Sequence, residues 1–344
     1  MDDDDVLPAS AWPALPPWLD ATAADMLAQR ERWPHAWLLE GPRGIGKRAL
    51  ALEFARALLC EAPRAGHRPC GTCPGCTWVA AGQHPDLRVV EPVDVDDEGN
   101  VTPTDVIRID GIRRLTEWTQ ITSHRQGAKV AVIVPAERMN TSAANALLKT
   151  LEEPPAGTYL LLVAHQSGRL PATVASRCRR LPVVRPAADV AARWLAGQGV
   201  TQADTLLAQA GGAPLQALAL ADPSLQAERT AWLAGLARPE ALSPVALAAR
   251  IDLAGRDERR DRLGSAIEWL VAWTADLARV AAGGEPRLNP DHAEALRSLA
   301  GKVARISLFR YHRQVLGQRT LLAHPLQPRL VAEALLADYR ALFP

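Results

Sequence analysis

The chain has no surplus of charge of either sign: 39 Lys and Arg stand against 38 Asp and Glu in 344 residues. Without a net positive field nothing draws the whole molecule to nucleic acid, so any such contact is local or shared with partners. It has no apolar run near the ~20 residues that span a bilayer. Its opening, MDDDD, is too acidic and too poor in apolar residues for a signal peptide, so a cytoplasmic protein without membrane association is expected. Five cysteines in that compartment exclude a disulfide framework. No internal repeat or low-complexity tract is present apart from alanine richness. What remains, 48% hydrophobic and 22% charged residues over a length that accommodates two or three domains, describes an ordinary globular chain.

The most informative absence is a single hydroxyl. Gly41 to Leu50 reads GPRGIGKRAL, after an apolar run from Ala36 to Leu39 and before a helix-like segment. This is the pattern of a phosphate-binding loop, in which glycines let backbone N–H groups close around phosphates and a lysine reaches the outer ones. Gly41, Gly44, Gly46 and Lys47 are in place, but Arg48 stands where a Ser or Thr would ligate magnesium. A guanidinium has only donors and a positive charge and repels the metal. The loop can hold phosphate but lacks the means to hydrolyse it.

Four of the five cysteines fall within 17 residues, Cys60, Cys70, Cys73 and Cys76, as C-x9-C-x2-C-x2-C. Two-residue gaps let successive thiolates converge on one ion, and four sulfurs fill a tetrahedral shell, which points to structural zinc rather than a catalytic site. His67 and His84 are near in sequence but are left without a place in that shell and are expected at the surface.

Along the chain, Asp2 to Pro17 reads as irregular and Trp18 to Arg32 as an amphipathic helix ended by Pro34. A strand over 36–40, the loop and a helix over 48–59 form a first βα unit. Residues 87–90 read as a strand. Asp94 to Asn100 reads as a solvated acidic turn rather than a metal site. The pattern Val106, Ile107, Ile109, Ile112, Leu115, Trp118 predicts a strand-like entry into a helix. KVAVIV, 129–134, is a buried strand, yet it runs into Pro135 and Ala136 where a nucleotide motor places acidic residues. Glu137, the nearest carboxylate, reads as a helix-start charge. NALLKTLEEPP (145–155) is an amphipathic helix stopped by two prolines, followed by a strand over 159–164 and by SRC at Ser176, Arg177 and Cys178, the cysteine expected to be buried. Beyond Pro182 the chain becomes Ala/Leu-rich helices, with Trp232, Trp269 and Trp273 as core aromatics and 305–319 as a basic solvated helical face.

The loop remnant at 41–48, the four-cysteine insert, NALLKTLEEPP and SRC together resemble the delta-prime family of bacterial clamp-loader subunits, AAA+ relatives within the DNA polymerase III holoenzyme. The resemblance extends over essentially the whole chain. It implies an α/β AAA+ P-loop domain of RecA-like type with a parallel sheet (1–185) and a zinc insert at 60–80. A small helical lid (186–225) and an all-α collar that mediates oligomerisation (226–344) would follow. It also implies that Arg177 is an arginine finger reaching the ATP of a neighbouring subunit, where a guanidinium stabilises charge on the transferred phosphate. In active relatives a GS-x-R motif in the lid points an arginine at nucleotide. The matching segment here, Gly212 to Leu215, ends in leucine. Implied partners are the gamma or tau ATPase subunits and delta in a hetero-pentamer, with the sliding clamp and primer-template DNA met through the complex. Structural zinc is the implied cofactor, and binding of ATP or ADP is doubtful.

Three functions compete on this reading. The first is an assembly subunit that presents Arg177 without turning over ATP, an accessory to a DNA-directed DNA polymerase. The second is an ATP-hydrolysing AAA+ loader or related replication ATPase, against which stand Arg48, the Val134–Pro135 strand end and Leu215. The third is a zinc-dependent nucleic-acid module, disfavoured by the balanced charge and by the lack of aromatics among the cysteines.

Overall fold

In the computed structural model, residues 13–95, 101–125, 127–255, 258–321 and 327–343 are described. The acidic residues 2–5 and 96–100 singled out above lie outside them. The chain forms two compact units, Met1–Pro186 and Ala187–Pro344.

The apolar runs of the first unit become neighbouring strands. In chain order its elements are α1 (Asp20–Ala28), β1 (Ala36–Glu40), α2 (Lys47–Leu59), α3 (Pro74–Ala80), β2 (Leu87–Val90), β3 (Val93–Val95), β4 (Val101–Pro103), α4 (Ile109–Gln120), β5 (Lys129–Ile133), α5 (Thr141–Glu152), β6 (Thr158–Ala164), α6 (Ala172–Ala175) and β7 (Arg179–Pro182). Five strands make one sheet in the order β2-β5-β6-β1-β7, with every pairing parallel. A parallel sheet covered on both faces needs strands that are apolar throughout rather than alternating. The central strands obey: all five residues of β5 and the first four of β1 are buried. Fully buried leucines such as Leu38 and Leu39 each contribute roughly 1.5–3 kcal/mol. Ala36 and Leu38 face a core built with α4, α5 and α6. On the α2 side, Trp33 meets Trp37 and Phe54 edge-on, with ring centroids 5.8 and 5.0 Å away. The edge strand β7 carries Arg179 and Arg180, charges that keep such an edge from pairing with another chain.

The structure departs from the sequence reading at several places. The helix expected over 18–32 is split into α1 and a short 3-10 turn on either side. Side chains explain the breaks: the Trp18 Nε1 donates to the Ile45 carbonyl at 3.0 Å, and the Trp33 Nε1 donates to Met26 O at 2.9 Å. The helix carrying LEEPP starts earlier, at Thr141, because the Asn140 side chain caps it by accepting from the Ala143 amide at 2.8 Å. The stretch assigned to an acidic turn is flanked by the antiparallel pair β3–β4.

Every regular element described in the second unit is helical: α7 (Ala188–Gly197), α8 (Ala203–Gln209), α9 (Pro214–Leu220), α10 (Pro223–Leu236), α11 (Pro244–Ala248), α12 (Arg259–Ala281), α13 (Ala293–Ala300), α14 (Arg305–Leu321) and α15 (Pro328–Arg340). Two apolar clusters form there. A small one joins α7, α8 and α9 through Ala191, Leu195, Leu206 and Ala217. The larger contains Trp232, Trp269 and Trp273, the expected core aromatics, with Tyr311 and Tyr339. In it the Trp273 Nε1 donates to the Tyr339 hydroxyl, which donates to Leu236 O, each at 2.8 Å. Burial drives both tyrosine hydroxyls to titrate far above their ordinary range. Buried Asp276 accepts from the amides of Arg287, Leu288 and Asn289 at 2.7–2.8 Å and holds the turn before α13 against α12. On α14 Arg305, Arg310 and Arg313 are exposed as expected, Arg319 lying outside the described side chains, while Leu308, Tyr311 and Val315 turn inward.

Candidate functional site

The phosphate loop leaves the C-terminal end of β1, one strand in from the β7 edge of the sheet, and runs into α2. Its glycines are required by shape. Gly41 has φ +152°, and a Cβ there would lie 2.1 Å from Val183 O. Gly46, with φ +94°, caps α2, and a Cβ there would meet Leu19 Cδ1 at 2.8 Å and Pro16 Cγ at 2.9 Å. The segment just before α1 therefore lies directly over the loop.

The two basic residues of the loop are already engaged. Lys47 is buried, and its Nζ donates to Gly41 O at 2.7 Å and to Pro42 O. Burial brings its pKa down to about 8, partly opposed by the Glu137 carboxylate. Arg48 makes a two-pronged ion pair with Glu91, beyond the end of β2, with Nε–Oε1 and Nη2–Oε2 both at 3.1 Å. The guanidinium that stands where a metal-ligating hydroxyl was expected is thus turned to the end of β2, the far edge strand of the sheet. Glu137, read from sequence as a helix-start charge, does lie in the first turn of a short 3-10 helix, Ala136–Arg138, and its carboxylate has a further use. Its Oε1 accepts from the amides of His165 and Gln166 at 2.9 and 3.1 Å, fixing the end of β6, and its Oε2 is buried without a hydrogen-bond partner among the described residues. The carboxylate missing from the strand end is in this way returned to the neighbourhood of Lys47. Burial, and then the Lys47 charge, push the His165 imidazole down to about 4, so it is neutral at pH 7.

The cysteines converge although 16 residues separate the first from the last. Cys60 lies just past α2, and Cys73 and Cys76 sit at the start of α3. Their four Sγ atoms are all within 4.8 Å of one another. Cys60 and Cys73 Sγ are 3.9 Å apart and Cys70 and Cys76 Sγ 4.0 Å, close to the ~3.8 Å that four sulfurs at 2.3 Å from a tetrahedral ion require. Backbone amides reinforce the sulfurs as anions: Cys70 Sγ accepts from Thr72 N and Cys73 N, Cys60 Sγ from Cys70 N, and Cys73 Sγ from Cys76 N. The amide bonds bring the Cys70 thiol down to about 5, whereas burial pushes Cys76 up to about 12. This donor set can hold a metal ion, and an ion among the sulfurs would favour the thiolate at all four. Neither histidine joins it. His84 is buried rather than at the surface, stacking edge-on against Trp78 and accepting the Asp86 amide on Nδ1 at 3.1 Å. His67 is half-buried in a turn at φ +58°.

Arg177 stands between α6 and β7. Its Nε donates to Glu152 Oε1 at 2.8 Å and its Nη1 to Thr173 O at 2.8 Å, with the side chain about one-third exposed. Cys178 beside it is buried, as expected. The register fixes where this arginine lies relative to the loop. Trp37 pairs with Arg179 and Glu40 with Pro182, so Arg177 precedes the N-terminal end of β7 while the loop leaves the C-terminal end of β1. The strand from Arg179 to Pro182 alone spans about 10 Å at strand rise.

The family profile described as "DNA polymerase III, delta subunit" matches residues 22–186. The DNA polymerase III subunit delta' of Pseudomonas aeruginosa is 37% identical over 271 residues, 76% of this chain and 77% of that protein. That of Yersinia pestis is 34% identical over 295 residues, 83% and 82% of the two chains. The chain belongs to the family of DNA polymerase III delta-prime subunits. Among solved structures, a DNA polymerase III gamma subunit-related protein from Thermotoga maritima aligns with 93% of this chain and 99% of its own, at 16% identity and TM-score 0.42; a likeness that loose adds nothing to the assignment.

Within this delta-prime chain, the sequence singled out the loop and Arg177 but not the carboxylates that pair with Arg48 and Arg177. Glu91 lies 43 residues from Arg48, and Glu152 lies 25 from Arg177, with no periodic signal joining either pair. Leu215, where the resemblance implied the arginine of active relatives to be lost, sits half-buried on α9. Among the described residues no helix is long and apolar enough to cross a membrane.

Proposed function

We propose that this chain is the non-hydrolysing delta-prime subunit of a bacterial clamp loader. It assembles with gamma or tau ATPase subunits and delta in a hetero-pentamer and supplies Arg177 in trans to a neighbour's nucleotide while the complex loads the sliding clamp on primed DNA. Residues 186–225 serve as the lid and 226–344 as the collar that joins the subunits. The Cys60, Cys70, Cys73 and Cys76 site holds structural zinc, since four sulfurs leave no coordination position for water or substrate.

One observation carries the reading: Arg177 and the phosphate loop lie at opposite ends of the same parallel strands. An arginine so placed is out of reach of its own loop, and acts on phosphate only if that phosphate belongs to another chain. The loop itself is poorly set for turnover. Lys47 is occupied by the carbonyls of Gly41 and Pro42, and Arg48 is held by Glu91 in the place of a magnesium ligand. The carboxylate of Glu137 near Lys47 is the feature that favours the second reading, an ATP-hydrolysing loader subunit.

The test is steady-state ATP hydrolysis by reconstituted loader with clamp and primed DNA. Arg177→Ala should leave the chain folded and incorporated and slow turnover at the neighbouring site, by up to the ~10³-fold or more known for trans arginines. Arg177→Lys should not rescue it, because an ammonium lacks the planar fork that meets two phosphate oxygens. Wild-type rates in both variants would reduce Arg177 to an interface residue.

A further inference from the structure

We propose that Glu152, the last residue of α5, is the positioning residue for Arg177: it fixes the guanidinium so that its remaining donors face outward to a neighbour's phosphate. This rests on the reading of Arg177 as an arginine donated in trans.

A guanidinium has five N–H groups. Within this chain the Nε of Arg177 donates to Glu152 Oε1 at 2.8 Å and the Nη1 donates to Thr173 O at 2.8 Å, while the Nη2 makes an ion-pair contact with the same Glu152 oxygen at 2.5 Å. Two N–H groups are used, leaving at least one on each terminal nitrogen. One from each is enough to engage two oxygens of a phosphate. The pair is also at the surface, with Arg177 and Glu152 side chains 36% and 49% exposed. Both are accessible to a docking chain, and the ion pair is weak enough to set a rotamer without trapping it.

The location of Glu152 points the same way. Glu152 and Glu153 place two carboxylates at the C-terminus of α5, where the helix dipole disfavours negative charge. Helix formation gives no reason for them. Pro154 and Pro155 stop the helix at that turn, which fixes Glu152 at the N-terminal end of the strands, the same end as Arg177. A long, flexible arginine left without this partner must be ordered when the phosphate arrives, and the lost freedom then falls on the transition state. Held by Glu152 and Thr173, it is ordered beforehand.

The experiment compares reconstituted loader carrying wild type, Glu152→Gln, Arg177→Ala and the double variant, at incorporation matched by native mass spectrometry and with melting temperatures measured. Glu152→Gln should lower kcat for ATP about two- to fivefold, the scale of one exposed ion pair, with KM unchanged. The double variant should hydrolyse ATP at the rate of Arg177→Ala alone, because a positioning residue has nothing to position once the arginine is gone. If Arg177→Ala itself has no effect, the reading of Arg177 fails. If Arg177→Ala slows turnover but Glu152→Gln does not, the role of Glu152 fails and Arg177 stands. Faster turnover in Glu152→Gln would make Glu152 a restraint, and additive losses in the double variant would make it merely structural; each overturns the proposal.

Discussion

Replacing Lys47 by methionine, which keeps an unbranched apolar stem and removes the titrating amine, should change how stability depends on pH. In the unfolded chain the lysine titrates near 10.5, and in the folded chain burial brings it down to about 8. Between these values the unfolded chain still holds a proton that the folded chain has released, so unfolding takes up a proton and stability rises with pH. Below the folded pKa both states are protonated, and burial of the charge imposes its full cost. The interval from 10.5 to about 8 corresponds to a full span of ~3 kcal/mol at about 1.4 kcal/mol per tenfold. A little over half, ~2 kcal/mol, is recovered between about pH 7.5 and 9.5. The assay is urea denaturation of wild type and Lys47→Met across that range, followed by tryptophan fluorescence and by amide exchange of β1 and α2. Taking the difference between the two proteins cancels the titration of the cysteines. The stability of wild type relative to the variant should climb by ~2 kcal/mol over that window. A difference that stays constant within ~0.5 kcal/mol would refute the argument, meaning that Lys47 reaches water in the folded protein. Glu137→Gln removes the charge that holds the lysine up, and should carry the climb to lower pH.

Freshly purified protein should contain one zinc per chain, and a chelator should raise amide exchange across 60–80 more than in β5 or β6; absence of zinc with four freely titratable thiols would remove that site. The isolated chain should show no magnesium-dependent ATP hydrolysis, whereas turnover abolished by Lys47→Ala would promote the ATPase reading.

The parts of this molecule that were legible beforehand are those encoded locally. Buried parallel strands show as unbroken apolar runs, as in KVAVI and TYLLLVA. Paired CxxC spacing brings sulfurs within reach of one ion, and the glycines of the loop are forced by positive φ or by close backbone approach. The parts that were not legible depend on partners far along the chain. The partners that let Lys129 be buried at the start of its strand are one case, its Nζ donating to Trp118 O and Ile121 O, each at 2.7 Å, at the end of α4. His84 looks like a free histidine, but the fold covers it with Trp78 and gives its ring nitrogen the Asp86 amide. Glu91 and Glu152 look like ordinary acidic residues because nothing in their own neighbourhoods names the arginines they meet. The break in the first helix arises likewise from indole N–H groups seeking carbonyls, one of them 27 residues away, a demand that helical periodicity does not register.

The opposite-end placement of Arg177 and the phosphate loop also gives the chain a polarity. Two such modules related by a two-fold axis would face arginine to arginine or loop to loop, which brings no arginine to a phosphate. Only head-to-tail stacking brings the arginine of one to the loop of the next, and contacts of that kind continue in one direction until a ring closes or the row stops. On the reading proposed for this chain, a member that offers an arginine but does not itself turn over nucleotide has a donor face and no receiving one. Such a member would begin a row rather than stand in its interior, and would mark where an assembly starts and which way it runs.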